Sequence, residues 1–170
     1  MFKECIRYLF YVLEIYTLYA IEQTPEVNLM KMPLFWIISG FVCVALFEKE
    51  FTSMAFGILA GFLIDLSFGS FLGFNALILG VLGYILGVLF SYFIRTNFFS
   101  AMLIAGVISI LILVLNTCVN FSIFELKSKD ILTDFVWISS LNAVITLPIY
   151  FINRTISYMM REKRNENIKF

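Results

Sequence analysis

The chain has 170 residues, of which 61% are hydrophobic, against about 45–50% in an ordinary soluble domain. One core cannot bury so large an apolar fraction, because a chain of about 150 residues buries only about 70% of its surface. The composition excludes a soluble domain and predicts a bundle whose outer surface faces lipid. Twelve basic and twelve acidic residues cancel, so no net charge attracts nucleic acid.

Six apolar segments predict an all-α, polytopic membrane bundle of six transmembrane helices. They are residues 5–21, 32–47, 51–68, 71–94, 98–121 and 135–152. Spanning the hydrocarbon core takes about 20 helical residues, so the second segment is marginal and could be short or partly re-entrant. We expect a single transmembrane domain over residues 1–153, followed by a basic cytoplasmic tail over residues 154–170.

The basic residues predict the orientation of this bundle. With six spans, nine of them fall on the side that holds both termini, and these are Lys3, Arg7, Lys49, Arg95, Arg154, Arg161, Lys163, Arg164 and Lys169. The other side receives only Lys31, Lys127 and Lys129. By the positive-inside rule both termini are therefore cytoplasmic.

Glycines recur every four residues through the third segment and beyond it. The repeat consists of Gly57, Gly61, Asp65, Gly69 and Gly73. Small residues on one helix face let a neighbouring backbone approach closely, and close packing is a main source of helix association in lipid. The repeat predicts a contact surface, either within the chain or for a partner helix.

The fourth segment carries a second series of small residues, spaced alternately by three and four. It consists of Gly73, Ala76, Gly80, Gly83 and Gly87, which is the seam of a left-handed helix pair. We expect the third and fourth segments to form a tight hairpin around Gly69 and Ser70, with Ser70 as the N-cap of the fourth helix.

Asp65 is a carboxylate inside an otherwise apolar run, where a charge is costly. One interpretation is that Asp65 caps free backbone amides at the start of the fourth helix, where the helix dipole favours a negative charge. The other is a proton- or ligand-binding carboxylate inside the bundle. The cap is favoured, because no second carboxylate, histidine or basic group lies nearby in the sequence.

Further polar residues lie within the predicted spans. Glu14 is midway along the first segment and is expected to face a polar partner rather than lipid. The candidate partners on later helices are Asn116, Asn120, Ser139, Asn142, Thr146 and Asn153. We interpret them as interhelical hydrogen-bonding groups in preference to a substrate site.

No pattern in the sequence supports catalysis. Histidine is absent, and there is no nucleophile elbow, phosphate-binding loop or cluster of metal-ligand carboxylates. We therefore predict that the protein is not an enzyme and needs no cofactor or metal.

The stretch from Gly57 to Gly73, with its central Asp65, resembles the rod-shape-determining membrane protein MreD family. Supporting features are Pro33, Gly83-Tyr84 with Gly87, Asn142 with Pro148, and the basic tail. The resemblance implies a non-catalytic scaffold in the bacterial inner membrane that binds the bitopic protein MreC. Through it the scaffold would work with MreB, RodA and a penicillin-binding transpeptidase in lateral peptidoglycan synthesis. Homo-oligomer formation is left open.

The same family is similar in fold to the substrate-binding subunits of energy-coupling-factor transporters. This likeness supplies the alternative, a small-molecule-binding subunit of a vitamin importer. The loop at residues 125–134 would then act as a lid over the ligand. Against it, the first segment contains only Ala20 of the Ala-x-x-x-Ala pair through which such subunits dock.

Overall fold

The computed structural model describes residues 2–24, 36–68, 72–92, 97–119 and 131–161. These residues are folded into six α-helices, which confirms the prediction of an all-α protein. The helices are α1 (Phe2–Glu22), α2 (Trp36–Phe47), α3 (Glu50–Phe68), α4 (Phe74–Tyr92), α5 (Phe98–Val119) and α6 (Ile131–Arg161).

Helix α2 forms the centre of the bundle. Every residue from Ile37 to Leu46 is buried, and the helix contacts each of the other five. An all-apolar helix in a membrane protein can face either lipid or other helices, and α2 is enclosed by other helices on every side. Twelve residues of the segment are described as helix, and the residues before Trp36 lie outside the described part of the chain.

The remaining helices surround α2. Helix α3 packs along α4, α5 packs along α6, and α1 contacts both α6 and α3. Large side chains fill the centre, among them Tyr11, Phe41 and Ile64, all fully buried. Tyr11 also meets Phe56 edge-on, with ring centroids 5.7 Å apart. The core therefore links α1, α2 and α3 through apolar and aromatic contacts.

Three of the helices in the described ranges are long and apolar enough to cross a membrane, namely α3, α4 and α5. Their outward faces carry large apolar side chains, such as Leu77 and Leu103, which are 70% and 57% exposed. Such exposure is typical of a surface in contact with lipid. The count of six spans, the position of the termini and the likeness to transporter subunits stay predictions.

The helix boundaries differ from those expected most clearly in α4 and α6. Helix α4 begins at Phe74 rather than at Phe71, because residues 72–73 form a turn in which Gly73 has a φ of 100°. Helix α6 has 31 residues and continues to Arg161, through Pro148. At 1.5 Å per residue it is about 46 Å long, so the helix extends beyond residue 153. The division into residues 1–153 and 154–170 stays a prediction.

Candidate functional site

The interface between α3 and α4 is a contact between two backbones. A Cβ atom on Gly57 would overlap the carbonyl group of Leu79, and one on Gly61 would overlap the backbone of Asn75 and Ala76. Backbone atoms cannot rotate out of the way, unlike the ends of side chains. Gly57 and Gly61 therefore allow α3 to approach α4 more closely than any larger residue would.

The glycines of α4 occupy the other half of this interface. A Cβ on Gly83 would lie 2.6 Å from the carbonyl oxygen of Ser53, and one on Gly87 would lie 2.5 Å from the Cα of Glu50. Gly80 differs, since its nearest neighbour is the side chain of Ile58, at 2.7 Å. Four glycines from the two series, Gly57, Gly61, Gly83 and Gly87, are thus used inside the chain, in an antiparallel hairpin.

Gly73 does not belong to this seam, although the four-residue repeat includes it. Among the described residues beyond its chain neighbours, no atom lies within 4 Å of the position that its Cβ would occupy. Its φ of 100° is a left-handed conformation that favours glycine, and its carbonyl oxygen accepts the first α4 bond from the amide of Leu77, at 2.9 Å. Gly73 therefore occupies the position before the helix that the sequence assigned to Ser70.

The side chain of Asp65 lies directly at the start of α4. Its Oδ2 accepts hydrogen bonds from the backbone amides of Gly73, at 2.8 Å, and Ala76, at 3.4 Å. Its Oδ1 accepts one from the backbone amide of Asn75, at 3.1 Å, and one from the Nδ2 of the same residue, at 2.8 Å. Since Asp65 and Asn75 are fully buried, this network caps α4 and ties it to α3.

Glu14 meets a polar partner on another helix. The Nδ2 of Asn153, on α6, donates to its Oε1 at 2.9 Å. Asn153 is fully buried, and Oε2 of Glu14 is buried without a hydrogen-bond partner among the described residues. This contact joins α1 to α6.

A second polar contact joins α6 to α2 and α5. The Nδ2 of Asn142 donates to the Oγ of Ser109, at 2.9 Å. The carbonyl oxygen of Asn142 accepts from the Oγ of Ser39, at 2.9 Å, and from the Oγ1 of Thr146, at 2.7 Å. All four residues are buried, so the polar face of α6 forms hydrogen bonds to neighbouring helices.

Four candidates from the sequence cannot be placed in these networks. Gly69, Ser70 and Asn120 lie outside the described residues, and the side chain of Asn116 does as well, although its backbone is helical within α5.

The sequence reasoning missed an ion pair between α1 and the α2–α3 turn. The Nε of Arg7 lies 2.8 Å from the Oε1 of Glu48, and a second guanidinium nitrogen donates to Oε2 at 3.1 Å. Both residues are buried. The predicted topology places Arg7 and Glu48 at the same end of the bundle, and their opposite charges were a signal for this pair.

Two further glycines were also missed. A Cβ on Gly40 would lie 2.6 Å from the side chain of Leu18, so α2 meets α1 here, and one on Gly106 would lie 3.2 Å from the Oγ of Ser139. Each neighbour is a side chain, which can move. Neither glycine belongs to a repeat, so spacing could not reveal them.

The comparison with known families identifies the family of this chain. The model of the family described as rod shape-determining protein MreD matches residues 4–160, nearly the whole chain. The chain belongs to the MreD family. Membership implies a membrane protein with a role in rod shape determination that associates with the cell shape machinery. No curated protein and no solved structure matches the chain.

Proposed function

We propose that this member of the MreD family is a non-catalytic scaffold of the cell-elongation machinery in the bacterial inner membrane. It would hold the transmembrane helix of an MreC-like bitopic protein. Through that protein it would help to position MreB, RodA and a penicillin-binding transpeptidase during lateral peptidoglycan synthesis. The observation that carries the proposal is the family match over residues 4–160.

The internal packing restricts where such a partner could bind. The glycines at the α3–α4 interface pack against the opposite helix, and α2 is enclosed by the other helices. A partner helix is therefore left with the outward apolar faces. These include Leu13 on α1, Leu77 on α4 and Leu103 on α5, which are all more than half exposed.

The proposal includes six spans with both termini in the cytoplasm. Arg7, Lys49 and Arg154 lie at the same end of the bundle, since Arg7 pairs with Glu48 and Arg154 lines a cavity with Phe47; we call it the basic end. An excess of basic residues on one side places that side in the cytoplasm.

Site-specific photo-crosslinking in native membranes tests the scaffold function. A crosslinking amino acid replaces Leu13, Leu77 or Leu103 in turn, and the products are identified by mass spectrometry. We expect a crosslink to a bitopic protein with an extracytoplasmic domain from one of these faces. A crosslinker at Ile38, which is fully buried in α2, is the matched control and should yield none.

The proposal fails if no outward position reaches another protein and the chain is recovered alone from mild detergent at its native expression level. The importer-subunit alternative stays a prediction, because the segment that would form its lid lies largely outside the described residues. A vitamin that is retained through purification would favour it.

A further inference from the structure

A cavity of about 420 Å³ lies at the basic end of the bundle. The end of α2, the start of α5 and the later half of α6 form its walls. The residues that line it are Phe47, Asn97, Phe98, Phe99, Tyr150 and Arg154. None of them takes part in the glycine interface or in the polar contacts of Glu14 and Asn142.

The lining combines an aromatic wall with a polar edge. The rings of Phe47 and Tyr150 lie against each other, with centroids 5.6 Å apart. Phe98 and Phe99 are 50% and 61% exposed, so the cavity reaches the outer surface of the bundle. A molecule could enter it from the side, out of the surrounding lipid.

The charge of Arg154 is not neutralised by the part of the protein that the structure describes. Arg7, toward the same end of the bundle, is buried and paired with Glu48 at 2.8 Å. Arg154 is exposed and forms no ion pair with a described residue. The lining contains no acidic residue. An exposed guanidinium in this setting selects an anion, and its planar donors suit a phosphate.

We infer that the cavity binds an anionic phospholipid, with the headgroup phosphate at Arg154 and an acyl chain along the aromatic wall. Free inorganic phosphate would use only Arg154 and Asn97, whereas a phospholipid uses both parts of the lining. The volume falls within the range of about 300–1,000 Å³ found for small-molecule sites. Aromatic and basic residues at the ends of membrane helices are also typical of headgroup depth.

Native mass spectrometry of the delipidated full-length protein tests this site. Dioleoyl phosphatidylglycerol and dioleoyl phosphatidylcholine are titrated separately. Arg154→Gln is expected to lower the affinity for phosphatidylglycerol about tenfold, because it removes the charge-assisted bonds to the phosphate. Lys49→Gln is the matched control, since Lys49 is exposed in the turn before α3 and does not line the cavity. It should change the affinity by less than about twofold.

A second variant tests whether binding needs the volume of the cavity as well as the charge of Arg154. Asn97→Trp fills the space and keeps Arg154, and it is expected to lower phosphatidylglycerol binding as strongly as Arg154→Gln. Thermal unfolding in detergent checks that each variant is folded. If Asn97→Trp does not fold, the comparison of Arg154→Gln with Lys49→Gln decides alone.

Four outcomes would overturn the inference. Equal losses in Arg154→Gln and Lys49→Gln would mean a general surface charge effect, and equal binding of the two lipids, which both carry a phosphate, would exclude a preference for an anionic lipid. Inorganic phosphate that stabilises the protein against heat as much as the lipid does would identify a free anion site. A partner protein whose binding depends on Arg154 while phosphatidylglycerol binding does not would identify a protein interface.

Discussion

The α3–α4 hairpin and the contacts of α6 join their helices by different means. In the hairpin, Gly61 brings one backbone against that of Ala76 with no side chain between them. Helix α6 instead uses side-chain hydrogen bonds, from Asn142 to Ser109 and from Asn153 to Glu14. Helices in lipid gain no hydrophobic free energy when they associate, because lipid is as apolar as the helix surface. Close backbone packing and interhelical hydrogen bonds therefore have to hold them together.

The difference concerns tolerance to substitution. A backbone contact has no alternative arrangement, so any added atom must separate the helices. An interhelical hydrogen bond contributes only about 0.6 kcal/mol on average, with a maximum near 1.7 kcal/mol, and its side chains can rearrange. The hairpin should therefore tolerate substitutions less well than the contacts of α6.

The sharpest test compares one substitution at two glycines. Gly61→Ala should lower the free energy of unfolding by about 3 kcal/mol, because the new Cβ meets backbone. Gly106→Ala should change it by less than about 1 kcal/mol. Rotation of the Ser139 Oγ away from the new Cβ gives up its hydrogen bond to the Gly106 carbonyl oxygen, about 0.6 kcal/mol, which the helix preference of alanine offsets. Unfolding in mixed micelles by sodium dodecyl sulfate measures both. Equal losses of unfolding free energy would show that a backbone neighbour is no more restrictive than a side-chain neighbour.

Asp65→Ala tests the cap that completes the hairpin. Three backbone amides and the side chain of Asn75 lose their acceptor, so we expect a loss of about 2 kcal/mol in the same assay. Asp65→Asn keeps one acceptor oxygen but turns an amide NH2 toward the two donors of the other oxygen, so it should lose about as much as Asp65→Ala. A stability of Asp65→Ala equal to that of the unsubstituted protein would contradict the capping role.

On the other side of the comparison, Asn142→Ala should cost about 1 kcal/mol, because it removes the bond to Ser109. Val144→Ala is the control on the same helix, since Val144 is 55% exposed and faces outward; it should have almost no effect. A loss for Asn142→Ala as large as that for Gly61→Ala would reverse the proposed order of the two regions.

The smallest effect is expected for Glu14→Gln, below about 0.6 kcal/mol, because the amide oxygen still accepts from Asn153. Glu14→Leu removes the acceptor from a fully buried Asn153 and should cost roughly 1 kcal/mol. The difference between the two variants, measured by the same unfolding assay, isolates the hydrogen bond. No difference would mean that this bond adds nothing to the α1–α6 contact.

Some of these contacts could be predicted because they are local. The hairpin and the position of Asp65 follow from small residues on two helices joined by a short connection, which leaves little choice of partner. The start of α4 could not be placed in the same way, since hydropathy carries no information on the left-handed conformation of Gly73.

Distant contacts were harder to predict. Arg7 and Glu48 are 41 residues apart, and Glu14 and Asn153 are 139 apart. Several polar residues were available as partners for Glu14, and helical spacing places residues on a face without identifying the helix opposite. For the same reason Gly40 and Gly106, which lie outside any repeat, gave no signal.

The amino-acid sequence by itself determined that the protein is an all-α bundle with apolar helices, a glycine-lined hairpin and the features of the MreD family. These properties depend on composition and on spacing along single helices. Only the tertiary structure decided that α2 lies at the centre, and that Arg7 is neutralised while Arg154 lines a cavity. The physical reason is that lipid and protein interior are equally apolar, so hydropathy cannot distinguish a face that contacts one from a face that contacts the other.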